Sequence, residues 1–167
     1  MNADPKINLY SVPQAVINTT RDFLYRVGRQ GYEGTGLWIG KPRDGSQFEF
    51  EISRFFPPEQ VCRKIPTKFG FGVSVDLTRQ AHLTLTDNLQ PGERFYARVH
   101  SHPGRAYHSP KDNENPILTH PGAISIVVPN YAREPIDLLN CAIYRLENGR
   151  WIELPKNEIH RVFTVLP

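Results

Sequence analysis

The sequence predicts an α+β domain in which a mixed β-sheet lies between helices. Three observations carry this: two segments at helical spacing, 12–28 and 74–85; short segments that alternate apolar and polar residues, 47–53 and 94–100; and a β-branched run, Ala123-Ile124-Ser125-Ile126-Val127-Val128, that reads as a central strand. At 167 residues the chain fits one domain, 1–167, large enough to enclose a hydrophobic core.

Taken in order, Ser11-Val12-Pro13-Gln14 reads as a helix start, with Ser11 as N-cap, Gln14 closing a capping box and Pro13 tolerated in the first turn. Val16, Phe23, Leu24 and Val27 follow at helical spacing and Gly28 suits the stop, so a helix over 12–28 packs one face on the sheet. Gly31-Tyr32-Glu33-Gly34-Thr35-Gly36 is too glycine-rich for regular structure and leads into Leu37-Trp38-Ile39-Gly40, a short buried strand. Glu33 therefore stands at a strand entrance. Phe48, Phe50 and Ile52 share one face of a strand over 47–53 and Gln47, Glu49 and Glu51 the other, and a turn at Pro42 to Gly45 pairs it with 36–40. Residues 54–73 show no clear period and read as a long loop or partly extended segment, a kind that often carries function. Leu77, Ala81 and Leu85 predict a second helix over 74–85. Phe95, Ala97 and Val99 alternate with Tyr96, Arg98 and His100 in the next strand. Beyond 123–128, Ile136 to Leu146 supplies another strand, Asn148-Gly149 is a strong hairpin signal joining it to Arg150–Leu154, and Ile159 to Leu166 forms a last strand.

Composition narrows the function. Hydrophobic residues make up 39% and charged ones 22%, and no segment reaches the 18 or so uninterrupted apolar residues of a membrane span. The start, Met-Asn-Ala-Asp-Pro-Lys, lacks a secretory pattern, so a cytoplasmic location with no membrane partner is expected. The net charge of +3 permits nucleic-acid contact, but the basic residues are scattered among acids without a Lys/Arg block, and no nucleic-acid partner is expected. Cys62 and Cys141 stand alone and read as reduced, buried thiols.

The chemistry concentrates in residues 98–115. His100 and His102, one residue apart on an extended segment, point the same way with Cα atoms about 6.5–7 Å apart, so both imidazoles can reach one ion. Asp112, ten residues past His102, can return as a third ligand. Three protein ligands and one open position make the pattern of a catalytic zinc, whereas a structural zinc closes with a fourth Cys or His. Pro103-Gly104 breaks the strand, and Asp112-Asn113-Glu114-Asn115 reads as a short helical start. Ser109 has two readings that the local sequence leaves equal, a chemical role or a turn or N-cap role without chemistry. His108 reads best as solvent-exposed, as do His82, His120 and His160.

His100-Ser101-His102-Pro103, followed by Ser109-Pro110-Lys111-Asp112, resembles the JAMM motif of the JAB/MPN metalloprotease family. Glu33-Gly34-Thr35-Gly36-Leu37-Trp38-Ile39-Gly40 looks like that family's upstream glutamate, glycines and first core strand, and the resemblance covers most of the chain. It implies a JAB/MPN (cytidine deaminase-like) fold. Residue by residue, it implies that His100, His102 and Asp112 bind Zn2+, that Glu33 is the general base and acid, and that Ser109 helps stabilise the oxyanion. Six residues separate His102 from Ser109, one fewer than the family's usual spacer, so the loop must close more tightly. Members with an intact motif mostly cut after the C-terminal glycine of ubiquitin or ubiquitin-like proteins, which requires a groove where an extended tail can add to a free sheet edge. Phe55, Phe56, Phe69 and Phe71 are the candidate wall of that groove, with core packing the competing reading for at least two of them. The compact chain and its 121–132 stretch resemble bacterial members encoded beside E1-like and E2-like proteins and a ubiquitin-like partner in antiphage conjugation systems. Two alternatives stay open: a catalytically silent MPN scaffold, against which the retained motif argues, and a peptidase acting on a sulfur-carrier precursor.

Overall fold

A computed structural model describes residues 7–114 and 117–167. The reading of residues 1–6 as free of a leader, and Asn115 of the expected helical start, lie outside the described residues. In chain order the elements are β1 (Leu9–Pro13), α1 (Gln14–Gly28), β2 (Thr35–Pro42), β3 (Glu49–Phe56), β4 (Gln60–Thr67), β5 (Gly70–Leu77), α2 (Arg79–Leu83), β6 (Arg94–Ser101), α3 (Pro110–Asn113), β7 (Ile124–Val128), β8 (Ala142–Glu147), β9 (Arg150–Glu153), α4 (Lys156–Val162) and β10 (Phe163–Leu166). Short 3₁₀ turns lie at Arg43–Gly45, Leu85–Asn88, Asn130–Ala132 and Leu138–Asn140.

Eight strands form one mixed sheet in the order β10-β1-β3-β2-β6-β7-β8-β9, and β4 and β5 form a separate hairpin. β2 lies between β3 and β6, antiparallel to both, while β6 and β7 run parallel. Both faces of β2 are buried, which is why its sequence is a continuous apolar run. Trp38 packs with Val16, Ile17 and Leu24 of α1 in the larger core cluster, and its indole N–H donates to Thr20 Oγ1 at 2.9 Å. Leu37 and Ile39 point to the opposite face, into a second cluster with Phe95, Leu118 and Leu146. Asn148 and Gly149 both have left-handed φ, 49° and 75°, and close the β8–β9 hairpin as the sequence required.

Four expectations are corrected. Ser11 is not a helix cap: Tyr10 and Val12, two residues apart, are buried, and β1 pairs in parallel with both β3 and β10, so the strand runs to Pro13 and the helix starts at Gln14 without a side-chain cap. Residues 54–73 are largely strand, since β3 runs on to Phe56 and the β4–β5 hairpin follows, with Gly70 at φ 122° beside its turn. The second helix shrinks to one turn, α2, capped by Thr78, because Val73, Val75 and Leu77 alternate within β5 and pair with β4. Two later strands begin late: a 3₁₀ turn capped by Asp137 precedes β8, and Ile159 and Val162, three apart, turn their segment into α4 before β10.

Candidate metal centre

The site forms where β6 ends. Ala97 and Val99 face the α1 side of the sheet, so Arg98 and His100 point to the other, where Thr35 of β2 and Val127 of β7 flank His100 in register. His102 follows with its amide donating to Val128 O at 2.9 Å, which prolongs the β6–β7 pairing and keeps both imidazoles on one side. After the loop, Ser109 caps α3 in a capping box: its hydroxyl accepts from the Asp112 amide while Asp112 Oδ2 accepts from the Ser109 amide at 2.8 Å. The turn aims the Asp112 carboxylate at the histidines.

The structure brings His100, His102 and Asp112 together. His100 Nε2 and His102 Nε2 are 3.3 Å apart, His100 Nε2 lies 3.1 Å from Asp112 Oδ1, and His102 Nε2 lies 3.3 Å from Asp112 Oδ2. A tetrahedral ion with bonds near 2.0–2.1 Å has ligand edges of roughly 3.3 Å. The donor triangle therefore fits a metal ion, and two imidazole nitrogens turned toward one another need a proton or a cation between them. Burial and the neighbouring Arg98 charge push His100 down to about 3, so it is a neutral ligand at ordinary pH. Burial alone would raise the Asp112 carboxyl, but the His100 and His102 imidazoles and the Ser109 amide hold it well below the usual carboxylate range.

Arg98 is a site residue that the motif does not contain. Its side chain is buried, and Nη2 donates to Asp112 Oδ1 and to His100 Nδ1, each at 3.2 Å, while Nε has no hydrogen-bond partner among the described residues. Arginine only donates, so His100 Nδ1 accepts and Nε2 carries the imidazole proton. A metal at Nε2 therefore needs the other tautomer, with the proton moved to Nδ1 and the Arg98 contact given up. The sequence signal was present: Arg98 shares the alternating face of β6 with His100.

Glu33 lies across the cleft, which holds about 440 Å³ and is lined by Glu33, Arg98, His100, His102, Ser109 and Asp112 together with Phe71 to Leu77 of β5. Its backbone is held from two sides. Gly34 and Ser101 exchange two hydrogen bonds at 3.0 and 3.1 Å, the Cys62 thiol donates to Glu33 O at 3.3 Å, and the Gln60 amide exchanges two bonds of 2.9 Å with the Thr35 backbone. Burial pushes the Glu33 carboxyl up to about 7, and the nearby His102 acts in the opposite direction. Cys62 is thus half-buried at the site, and Cys141 is buried elsewhere.

The six-residue spacer closes with His108 half-buried, against expectation. Its amide donates to Tyr144 Oη at 3.0 Å, its ring stacks on Tyr144 at 3.7 Å, Nδ1 contacts Asn113 Oδ1 at 3.0 Å and Nε2 contacts Ser125 Oγ at 2.8 Å. The loop tightens because this ring fills the gap between α3 and the sheet. His82, His120 and His160 are exposed, as expected. Of the four phenylalanines, Phe55 and Phe56 pack against the core clusters, Phe69 is fully exposed at the hairpin tip and Phe71 lines the cleft.

An open His-His-Asp triangle facing a half-buried glutamate is an arrangement that metal-dependent hydrolysis can use. The chain is 36% identical over 166 residues, 99% of each chain, to a probable metalloprotease, y4jG, of Sinorhizobium fredii. It belongs to the JAB/JAMM (MPN) metalloprotease family, and its α+β sheet is the JAB/MPN fold. The solution structure of protein DSY2949 from Desulfitobacterium hafniense superposes with a TM-score of 0.56 at 11% identity, over 95% of this chain and 93% of that one. A looser superposition, TM-score 0.44 at 18% identity over 87% of this chain and 95% of that one, relates it to AF2198, a JAB1/MPN domain protein from Archaeoglobus fulgidus. No family model matches the sequence. Among the described residues no helix is long and apolar enough to cross a membrane.

Proposed function

We propose that this chain is a zinc peptidase that cuts after the extended C-terminal tail of a ubiquitin-like protein, releasing it from a conjugate or a precursor. The observation that carries the reading is the three-donor triangle, open on one side, that shares a cleft with a half-buried Glu33. His100, His102 and Asp112 would hold the ion, and two imidazoles with one carboxylate suit zinc. What zinc supplies there is polarisation of the scissile carbonyl and acidification of water. Glu33 accepts the proton of the attacking water and returns it to the leaving amine; a carboxyl pushed up to about 7 is suited to both steps at neutral pH. Ser109 is the oxyanion donor. Its hydroxyl donates to Asp112 Oδ2 at 2.8 Å, but its own amide supplies the same oxygen at 2.8 Å, which leaves the hydroxyl free to turn.

Two features support a tail as substrate. Seven consecutive residues of β5, Phe71 to Leu77, line the cleft, as they do only when a strand presents its edge rather than one face. Among the described residues β5 pairs with β4 on one side only, so the other edge can accept an extended segment by strand addition. Phe71, 71% exposed, supplies an apolar wall beside it. E1-like and E2-like proteins are the proposed companions, on the sequence resemblance alone, and a cytoplasmic location goes with them.

The test combines metal analysis with cleavage of ubiquitin-like fusions. Wild type and Glu33→Ala should each hold about one zinc per chain, His102→Ala should hold none, and only wild type should cleave. Normal turnover by Glu33→Ala would refute the mechanism. Zinc-free wild type would favour the silent scaffold, and cleavage of a sulfur-carrier precursor alone would move the substrate to that class.

A further inference from the structure

The stretch Pro129-Asn130-Tyr131-Ala132, which follows β7, has no part in the reaction drawn above. Three consecutive non-glycine residues there have left-handed φ, Asn130 at 55°, Tyr131 at 53° and Ala132 at 54°. Asparagine tolerates this conformation, but tyrosine and alanine do not adopt it without compensation. The compensation is visible. The Asn130 amide donates to Gly104 O at 2.9 Å and the Tyr131 amide to His102 O at 2.8 Å, so the turn grips the segment carrying the second histidine. Arg21 of α1 donates to Ala132 O at 3.1 Å and to Arg133 O at 2.7 Å and ties down its far end.

The turn also aims the tyrosine ring. It crosses Gly28, where a Cβ would lie 2.5 Å from Tyr131 Cβ, and the phenol donates to Gly31 O at 3.2 Å, two residues before Glu33. One residue thus holds the His102 segment through its amide and the Glu33 segment through its hydroxyl. Backbone strain at a site persists where the surroundings enforce it, and here the enforced geometry links the two halves of the cleft.

We infer that Tyr131 is a positioning residue that fixes the spacing between the Glu33 carboxylate and the metal ligands. The inference rests on the peptidase reading above. Glu33 is also tethered by Ser101, Cys62 and Gln60, so removing the phenol oxygen leaves the fold intact and frees only the Gly31 end of its segment.

Tyr131→Phe keeps the turn and removes that single bond. Zinc content and melting temperature should stay at wild-type values, KM for a cleavable fusion should change less than about twofold and kcat should fall about tenfold or more, since misplacement by an ångström can cost about a hundredfold. In Glu33→Gln the same change should leave the residual rate unaltered, because the group it positions is already gone. Independently of turnover, amide hydrogen exchange at residues 31–35 should accelerate while 124–128 stay protected. Wild-type kcat in Tyr131→Phe, zinc loss in that variant, or an equal further drop on the Glu33→Gln background would each overturn the inference. If wild type itself neither binds zinc nor cleaves, the peptidase reading fails, and the exchange measurement still decides whether the tether exists.

Discussion

Replacing Asp112 with asparagine should destabilise the metal-free protein more than any other single change at the site. The guanidinium of Arg98 lies 3.2 Å from Asp112 Oδ1, with side-chain exposures of 7% and 13%. At an effective dielectric near 20 the attraction of two unit charges at that separation is about 5 kcal/mol. Removing one partner of a buried pair costs about 3–5 kcal/mol, because the remaining charge stays uncompensated. Arg98 has no alternative acceptor, as its Nε already lacks one and its second contact, His100 Nδ1, is a neutral nitrogen. Arg98→Met should cost less, about 1–3 kcal/mol, because Asp112 keeps its donors from Ser109 while losing only one charged one. The double variant should cost less than the sum. Urea titration with a chelator present reads all three, and a loss of 3 kcal/mol in a chain of this length corresponds to roughly 6–12 °C in Tm. Arg98→Met should also bind zinc at least as tightly as wild type, since it removes a cation beside the ligands. A cost of about 1 kcal/mol or less for Asp112→Asn, or additive single costs, would show that the guanidinium is not balanced by this carboxylate.

Metal-free protein should gain stability as pH rises from 4.5 to 6.5. His100 at about 3 and His108 at about 4 lie below the ordinary 6.5, mainly through burial, so in that range the unfolded chain binds protons that the folded one refuses. Glu33, at about 7 against an ordinary 4.5, has the opposite sign, and two histidines against one glutamate leave a slope of at most about 1.4 kcal/mol per pH unit; a flat or falling urea midpoint would refute the burial of the two rings. Ser109→Ala should cost about 1 kcal/mol as a lost cap and lower kcat by about a hundredfold to a thousandfold as a lost oxyanion donor. The stability loss with kcat within about tenfold of wild type would leave Ser109 as a cap alone.

What the sequence showed of the fold follows the range of the forces involved. The Asn148-Gly149 turn is local and formed as read, whereas Phe95, expected on one face with Ala97 and Val99, lies on the opposite face because β6 shifts register against β2 between Trp38 and Ile39. Ser11 failed because its neighbours Tyr10 and Val12 are held by strand partners 40 or more residues away, and no capping preference of about 1 kcal/mol competes with two sheet partners. The 54–85 region failed for a related reason. Val73, Val75 and Leu77 alternate, but Leu77, Ala81 and Leu85 also match a helix, and only pairing with Gln60–Thr67 decides between the periods.

The site divides in the same way. His100 and His102 are two residues apart on a strand and Asp112 is set by a four-residue cap, so their convergence follows from local geometry. Glu33 is placed by Ser101, Cys62, Gln60 and Tyr131, whose contacts span 25 to 100 residues of sequence, and spacing alone gives no sign of them. Burial of Arg98 is also invisible to spacing, because an arginine on an alternating polar face ordinarily meets water. Here it meets the Asp112 carboxylate, and that contact changes what the motif means: the ligand set is charge-balanced before any ion arrives. A metal that binds must therefore move the His100 proton from Nε2 to Nδ1, against the Arg98 donor, and share Asp112 with a resident cation, which is why Arg98→Met should strengthen rather than weaken metal binding.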